Sequence, residues 1–138
     1  MKPTQHSLDT IEVGREYAFT RAISPEDIAI FARLTGDNNP LHTNPVYGAE
    51  SPFGKNIAHG MLAGSLFSTL VGMHCPGEKS LYVSQTLNFK KPIFPGDMLT
   101  VKGTIVAKNE SIRLVTLKTE ILKDDVVMIT GEAKVKVL

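Results

Sequence analysis

Whole classes of function are excluded by what this chain holds little of. Cys75 is its one cysteine, so no intrachain disulfide framework can form, and a lone thiol suits a reducing compartment. Fifteen Lys and Arg face fourteen Asp and Glu, a net charge of +1, which leaves no electrostatic case for nucleic acid. The longest apolar run, Met61 to Met73, is too short to span a bilayer and is interrupted by Ser65, Ser68 and Thr69. The N-terminus lacks the apolar core of a signal peptide, and its acids Asp9 and Glu12 argue against a transit peptide. There is no repeat and no low-complexity stretch. A chain of 138 residues supports one core, so one soluble cytoplasmic domain is expected.

The pattern of apolar residues predicts α+β. A short strand is expected over Glu16–Ala22. Ser24-Pro25-Glu26-Asp27 then supplies a cap, a proline for the first helical position and two acids for the positive end of the helix dipole. Ile28, Phe31 and Ala32 make its apolar stripe, and Thr35-Gly36 ends it. Residues 37–56 are rich in Asn, Pro and Gly, with room for one short helix around Pro45–Glu50. The segment from His59 to Met73 is apolar nearly all round, which predicts one helix buried on nearly every side. A strand is expected over Ser80–Phe89, followed by breakers from Lys91 to Asp97. Beyond these, Leu99, Val101, Gly103, Ile105 and Ala107 alternate with polar residues. So do Val115, Leu117, Thr119 and Ile121, and then Val127, Ile129, Gly131, Ala133, Val135 and Val137. Period-two alternation predicts antiparallel strands with one face buried and one wet, here a long sheet curled around the central helix.

One loop carries the most chemistry. Gly36-Asp37-Asn38-Asn39-Pro40-Leu41-His42 puts a carboxylate and an imidazole five residues apart on a turn. Two such groups sharing a water form an acid–base pair suited to adding or removing water. On spacing alone, a second reading stands beside it: Asp37 caps a helix and His42 is a solvated or core histidine.

With Ala58-His59-Gly60-Met61-Leu62, Asn88-Phe89-Lys90-Lys91-Pro92 and Pro95-Gly96-Asp97 following in order, the chain resembles the MaoC-like (R)-specific enoyl-CoA hydratase family. The resemblance implies the hot dog fold, a sheet wrapped around a central helix. It makes residues 1–138 a single MaoC-like domain, with 1–14 as a partly flexible lead-in and His6 in a mobile tail. It implies that Asp37 and His42 are catalytic, orienting a water for syn addition to a 2-enoyl thioester. It also makes Gly60 the oxyanion donor, whose bare backbone N–H opens the buried helix. Asn39 would hold the loop or the water.

Ser68, eight residues after Gly60, would lie beside the water and the acyl chain, and Val71 would line the acyl pocket. Both have a packing alternative, since a buried helical serine commonly bonds back along its own helix. His59 is grouped with the substrate-contacting residues, its other role being to position the glycine turn. Lys90 and Lys91 would meet the phosphates of coenzyme A or be a solvated strand end. No Cys/His pair, His74-Cys75 included, has zinc-ligand spacing. No metal is therefore expected, nor any cofactor, coenzyme A being part of the substrate. Uncovered sheet edges imply a homodimer. The alternatives in function are a 3-hydroxyacyl-[acyl-carrier-protein] dehydratase using the same residues and an acyl-CoA thioesterase.

Overall fold

The computed structural model describes residues 1–138. Its strands are β1 (Glu16–Ala22), β2 (Ser80–Gln85), β3 (Asn88–Phe89), β4 (Met98–Asn109), β5 (Leu114–Lys123) and β6 (Val126–Val137). They form one antiparallel sheet in the order β1-β4-β5-β6-β2, with β3 also paired to β6. The helices are α1 (Pro25–Thr35), α2 (Pro40–Thr43), α3 (Pro45–Glu50), α4 (Gly60–Gly64) and α5 (Leu66–Thr69), the last running into a π-type turn, Leu70–His74. The sheet wraps α4, α5 and that turn, the arrangement the sequence predicts.

The core lies between this central segment and the concave sheet face. Phe67 and Leu70 pack among Leu99, Val101, Ile121 and Ile129. At the other end Val71 and Cys75 pack among Ile105, Val115, Leu117, Val135 and Val137. Gly103 allows the closest approach, because a Cβ there would fall 2.7 Å from Leu70 Cδ2. Burying a single Leu or Val side chain is worth roughly 1.5–3 kcal/mol, so these alternating positions dominate the fold's stability.

Three expectations are corrected. The central helix is neither one regular helix nor buried all round. Met61, Ser65 and Ser68 share an exposed stripe, Met61 being 59% exposed. The Ser80–Phe89 strand is two strands, broken at Thr86 and Leu87 after a register shift between Tyr82 and Ser84. In β6 the alternation slips: Met128, expected on the wet face, is buried next to Ile129, because β5 and β6 shift register between Ile121 and Leu122. Residues 1–14, expected as a partly flexible lead-in, make several contacts with the rest of the fold. Leu8 and Ile11 are buried, Lys108 Nζ donates to both of their carbonyls (3.1 and 3.0 Å), Gln5 bridges to Gly77, and His6 packs edge-on against Tyr17.

The first helix follows its sequence signals closely. Ser24 Oγ accepts from the Asp27 N–H (3.0 Å) while Asp27 Oδ2 accepts from the Ser24 N–H (2.9 Å), a reciprocal cap. At the other end Gly36 takes φ +82°, a left-handed conformation that glycine adopts without strain, and its N–H donates to Ala32 O. This reversal throws residues 37–44 back over the start of the central helix.

The cap yields a stability prediction. The Ser24 backbone N–H holds the Asp27 carboxyl below its ordinary range, with partial desolvation opposing and the Ser24 hydroxyl and Arg21 assisting. A carboxylate depressed on folding contributes stability above the unfolded value of about 3.9 and loses it as pH falls through the folded value. Ser24→Ala should cost about 1 kcal/mol and lower the melting temperature by roughly 3 °C. Asp27→Asn should be destabilising at neutral pH, with the deficit shrinking below about pH 4. A pH series of thermal melts checks both, and a deficit that does not depend on pH would contradict the cap's charge dependence.

Candidate active site

The loop bearing Asp37 and His42 is built from short polar contacts. Thr35 Oγ1 donates to Phe31 O (2.8 Å) and accepts from the Asp37 N–H (3.2 Å), carrying the end of α1 into the loop. Asp37 Oδ1 accepts from the Asn39 N–H (3.2 Å), and Asn39 Oδ1 in turn accepts from the Leu41 N–H (2.9 Å), capping α2 with Pro40 at its first position. Asn39 therefore holds the loop, one of its two expected roles. Thr43 Oγ1 donates to the Asn39 carbonyl (3.2 Å) and closes the turn.

Tethers from residues 56–59 fix the loop to the rest of the fold. Asn56 Nδ2 contacts the carbonyls of Pro40 (3.2 Å), Leu41 (2.8 Å) and Asn44 (2.9 Å). His42 Nδ1 lies 2.8 Å from Ile57 O. A carbonyl can only accept, so Nδ1 carries the hydrogen and the neutral ring keeps its lone pair at Nε2. His59 Nε2 donates likewise to Asp37 O (3.1 Å) and lies 4.0 Å from Asp37 Oδ2. The His59 ring stacks on His42 with centroids 4.0 Å apart, and Phe31 packs on His59 at 4.8 Å.

One donor atom from each of Asp37, His42 and His59 lies within 4.8 Å of the others. The convergence expected of Asp37 and His42 is thus present. The same triad has the composition of a metal site, but the His59 nitrogen facing Asp37 carries a hydrogen for the Asp37 carbonyl and offers no lone pair there. Beside the cluster lies a cavity of about 430 Å³, lined by His42 and Gly60 together with Met61, Phe89, Ile93 and Ile129, among others. Gly60 begins α4, so its N–H has no acceptor within the helix. A Cβ on Gly60 would come within 2.9 Å of the Phe89 ring. Asp37 is not in the cavity wall. It is half-exposed and meets the cavity through His42.

The other candidates divide. Lys90 and Lys91 line the same cavity. Ser68 lines a different one of about 450 Å³, with Phe31, Met61, Ser65, Tyr82 and Gln85. The two cavities share Met61, and Ser68 contacts neither Asp37 nor His42 across a common wall. Val71 is 1% exposed and packs in the core, its packing alternative. His59 is 2% exposed and lines no cavity, so it does not have the substrate-contacting position expected of it. His74 stacks on Phe19, and burial pushes the Cys75 thiol up to about 11, a value that marks an inert structural thiol. Neither Asn56 nor the carbonyl of Ile57 stands out in the sequence. An asparagine amid loop residues is a weak signal, and backbone carbonyls leave none at all.

Comparison with known proteins places these residues in a wider set. The chain matches the model of the MaoC-like domain over residues 8–126. It is 40% identical to the (R)-specific enoyl-CoA hydratase of Aeromonas caviae, covering 94% of this chain and 98% of that protein. It is 34% identical to a mitochondrial 3-hydroxyacyl-[acyl-carrier-protein] dehydratase of Arabidopsis thaliana, covering 89% and 75%. The fold superposes on an R-hydratase of Pseudomonas aeruginosa with a TM-score of 0.93 and 32% identity, covering 98% and 87%.

The tethers generate their own prediction. Asn56→Ala removes a donor shared by three loop carbonyls, each of which keeps a backbone N–H partner, and should cost about 0.5–1.5 kcal/mol in denaturant unfolding, with faster proteolysis between residues 37 and 56. Unchanged stability and cleavage would show that the loop is held by other contacts.

Proposed function

This chain belongs to the MaoC-like domain family, and we propose that it is an (R)-specific trans-2-enoyl-CoA hydratase. On this reading it reversibly adds water to a 2-enoyl thioester to give the (R)-3-hydroxyacyl-CoA. The observation that carries the proposal is the convergence of the Asp37 carboxylate and the His42 ring, whose Nδ1 is taken by Ile57 O, beside a cavity lined by His42 and Gly60. A water hydrogen-bonds an oxygen or nitrogen acceptor at about 2.8 Å, so two acceptors bound to its two hydrogens stand roughly 4.5 Å apart. A ring nitrogen of His42 and a carboxylate oxygen of Asp37 lie within 4.8 Å of each other, which leaves room for one bridging water. Such a water has both hydrogens engaged and its lone pairs free to attack.

The water oxygen bonds to carbon three, and one of its protons passes to an acceptor of the pair. The electron pair of the double bond moves through carbon two onto the thioester oxygen, where the Gly60 N–H meets the developing charge. A proton returned to carbon two completes the addition. With both acceptors on one side of the double bond, hydroxyl and proton arrive on the same face. The roles of base and acid are assigned to the pair as a unit. Addition of water transfers no electrons, and this reading needs neither a redox cofactor nor a metal.

Lys90 and Lys91 in the cavity wall suit the phosphates of coenzyme A. The similarity to a carrier-protein dehydratase supports the second reading, in which the same residues act on a 3-hydroxyacyl-[acyl-carrier-protein]. Thioester hydrolysis is the third, and it finds less support because the loop presents a water-sharing acceptor pair. The unit is proposed to be a homodimer. Edge strand β2 turns Leu81 and Val83, 52% and 56% exposed, toward solvent, and a bare apolar edge favours pairing. No helix is long and apolar enough to cross a membrane, and a cytoplasmic location is proposed with it.

Crotonyl-CoA hydration, followed by loss of enoyl absorbance with chiral analysis of the product, tests the reading. Wild type should give the (R)-alcohol, and Asp37→Asn and His42→Ala should each lose at least roughly a hundredfold in kcat. Preference for a carrier-protein ester would favour the dehydratase, and release of free thiol the thioesterase. Sedimentation equilibrium should give twice the chain mass. Folded variants with near-normal rates would overturn the assignment of Asp37 and His42.

A further inference from the structure

His59 is a polar ring in a place where an apolar one would cost less. It is 2% exposed, and its Nδ1 is buried with no hydrogen-bond partner, a deficit that a phenylalanine would not carry. Its side chain makes no capping bond to the helix it precedes. It turns instead toward the loop. There its Nε2–H holds the main-chain carbonyl of Asp37 at 3.1 Å, and its ring lies against the His42 ring at 4.0 Å. Behind it Phe31, from α1, blocks retreat of the ring at 4.8 Å. Through its own peptide bond it is joined to Gly60. One side chain thus touches the backbone of one proposed catalytic residue and the ring of a second, and it is covalently continuous with the third.

We propose that His59 is the positioning residue of this site, setting the distance between the Asp37 carboxylate, His42 Nε2 and the Gly60 amide without meeting the substrate. This rests on the hydratase reading. Its physical content is that Asp37 sits on a half-exposed loop, whose main-chain carbonyl is tied across the chain by the His59 ring. An error of about 1 Å in such a group can cost on the order of a hundredfold in rate. The unpartnered Nδ1 is then the stability cost of having the donor at Nε2.

Three replacements separate positioning from packing. His59→Phe keeps an aromatic ring against His42 and Phe31 but loses the donor. His59→Gln can place an amide N–H where Nε2–H stood, whereas the shorter His59→Asn cannot. The expected result is a fall in kcat of about tenfold to a hundredfold for the Phe and Asn variants, with KM for crotonyl-CoA little changed. Gln should restore most of the rate. The melting temperature of the Phe variant should match or exceed wild type, since an unsatisfied buried nitrogen is removed.

A readout that does not involve turnover accompanies the kinetics. Imidazole ¹⁵N spectra should show a protected Nε2–H on His59 in wild type, and His42 signals that shift or broaden in His59→Phe but not in His59→Gln. Wild-type kcat in the folded Phe variant, or unperturbed His42 signals, would overturn the proposal. So would rate losses that track melting temperature through all three variants, Gln included. A wild type unable to hydrate crotonyl-CoA would instead defeat the hydratase reading, and the His42 spectra would still decide whether His59 orders the loop.

Discussion

Loops have no ladder of their own, and groups carried on one are placed only as well as its ties to neighbouring elements. Here Asp37 and His42 depend on hydrogen bonds with residues 56–59: Asn56 donates to three loop carbonyls, His42 Nδ1 donates to Ile57 O, and His59 donates to the Asp37 carbonyl. The bond to Ile57 has a chemical consequence beyond anchoring, because it selects the tautomer with its lone pair at Nε2. Without it the neutral ring could present either nitrogen, and the pair of acceptors on which the proposed water site rests would be lost for part of the population.

The same four residues lead directly into Gly60 and the central helix. Loop and helix start are therefore one mechanical piece. The sheet supplies its rigidity: Leu70 seats against Gly103, and Phe67 is buried among strand residues on both sides. Burial of the central segment is incomplete in a way that matters. The stripe of Met61, Ser65 and Ser68 is exposed and, with Tyr82 and Gln85 of edge strand β2, lines a cavity of about 450 Å³. A second copy seated over this stripe would enclose the cavity that contains Ser68, which ties the proposed dimer to the expected place of Ser68 beside the acyl chain.

Much of this was legible before any coordinates, for reasons specific to each element. Ser24-Pro25-Glu26-Asp27 carries cap, proline and acid in order, so α1 begins where chemistry requires. The alternation in β4 and β5 is long and clean, so those strands and their buried faces were readable. Period-two reading failed where bulges intervene, at Tyr82–Ser84 and beside Met128, because one inserted residue reverses every side chain after it. Helix 59–73 misled for a different reason: a stripe reserved for another surface has the composition of a core. In the site, Asp37 and His42 were visible through loop chemistry and family resemblance. Asn56 and Ile57 were not, since one looks like any loop asparagine and the other acts through its backbone. His59 was visible as a residue but not in its role, which depends on burial.

The account's central claim is that two acceptors hold one water on a single face of the double bond while the Gly60 amide receives the charge. Hydration of crotonyl-CoA in D₂O, with the relative configuration at carbons two and three read by NMR, tests this most directly. Deuterium and hydroxyl on the same face, with the (R) configuration at carbon three, is the predicted product. Deuterium on the opposite face, or scrambled between faces, would contradict the shared-water geometry whatever the rate.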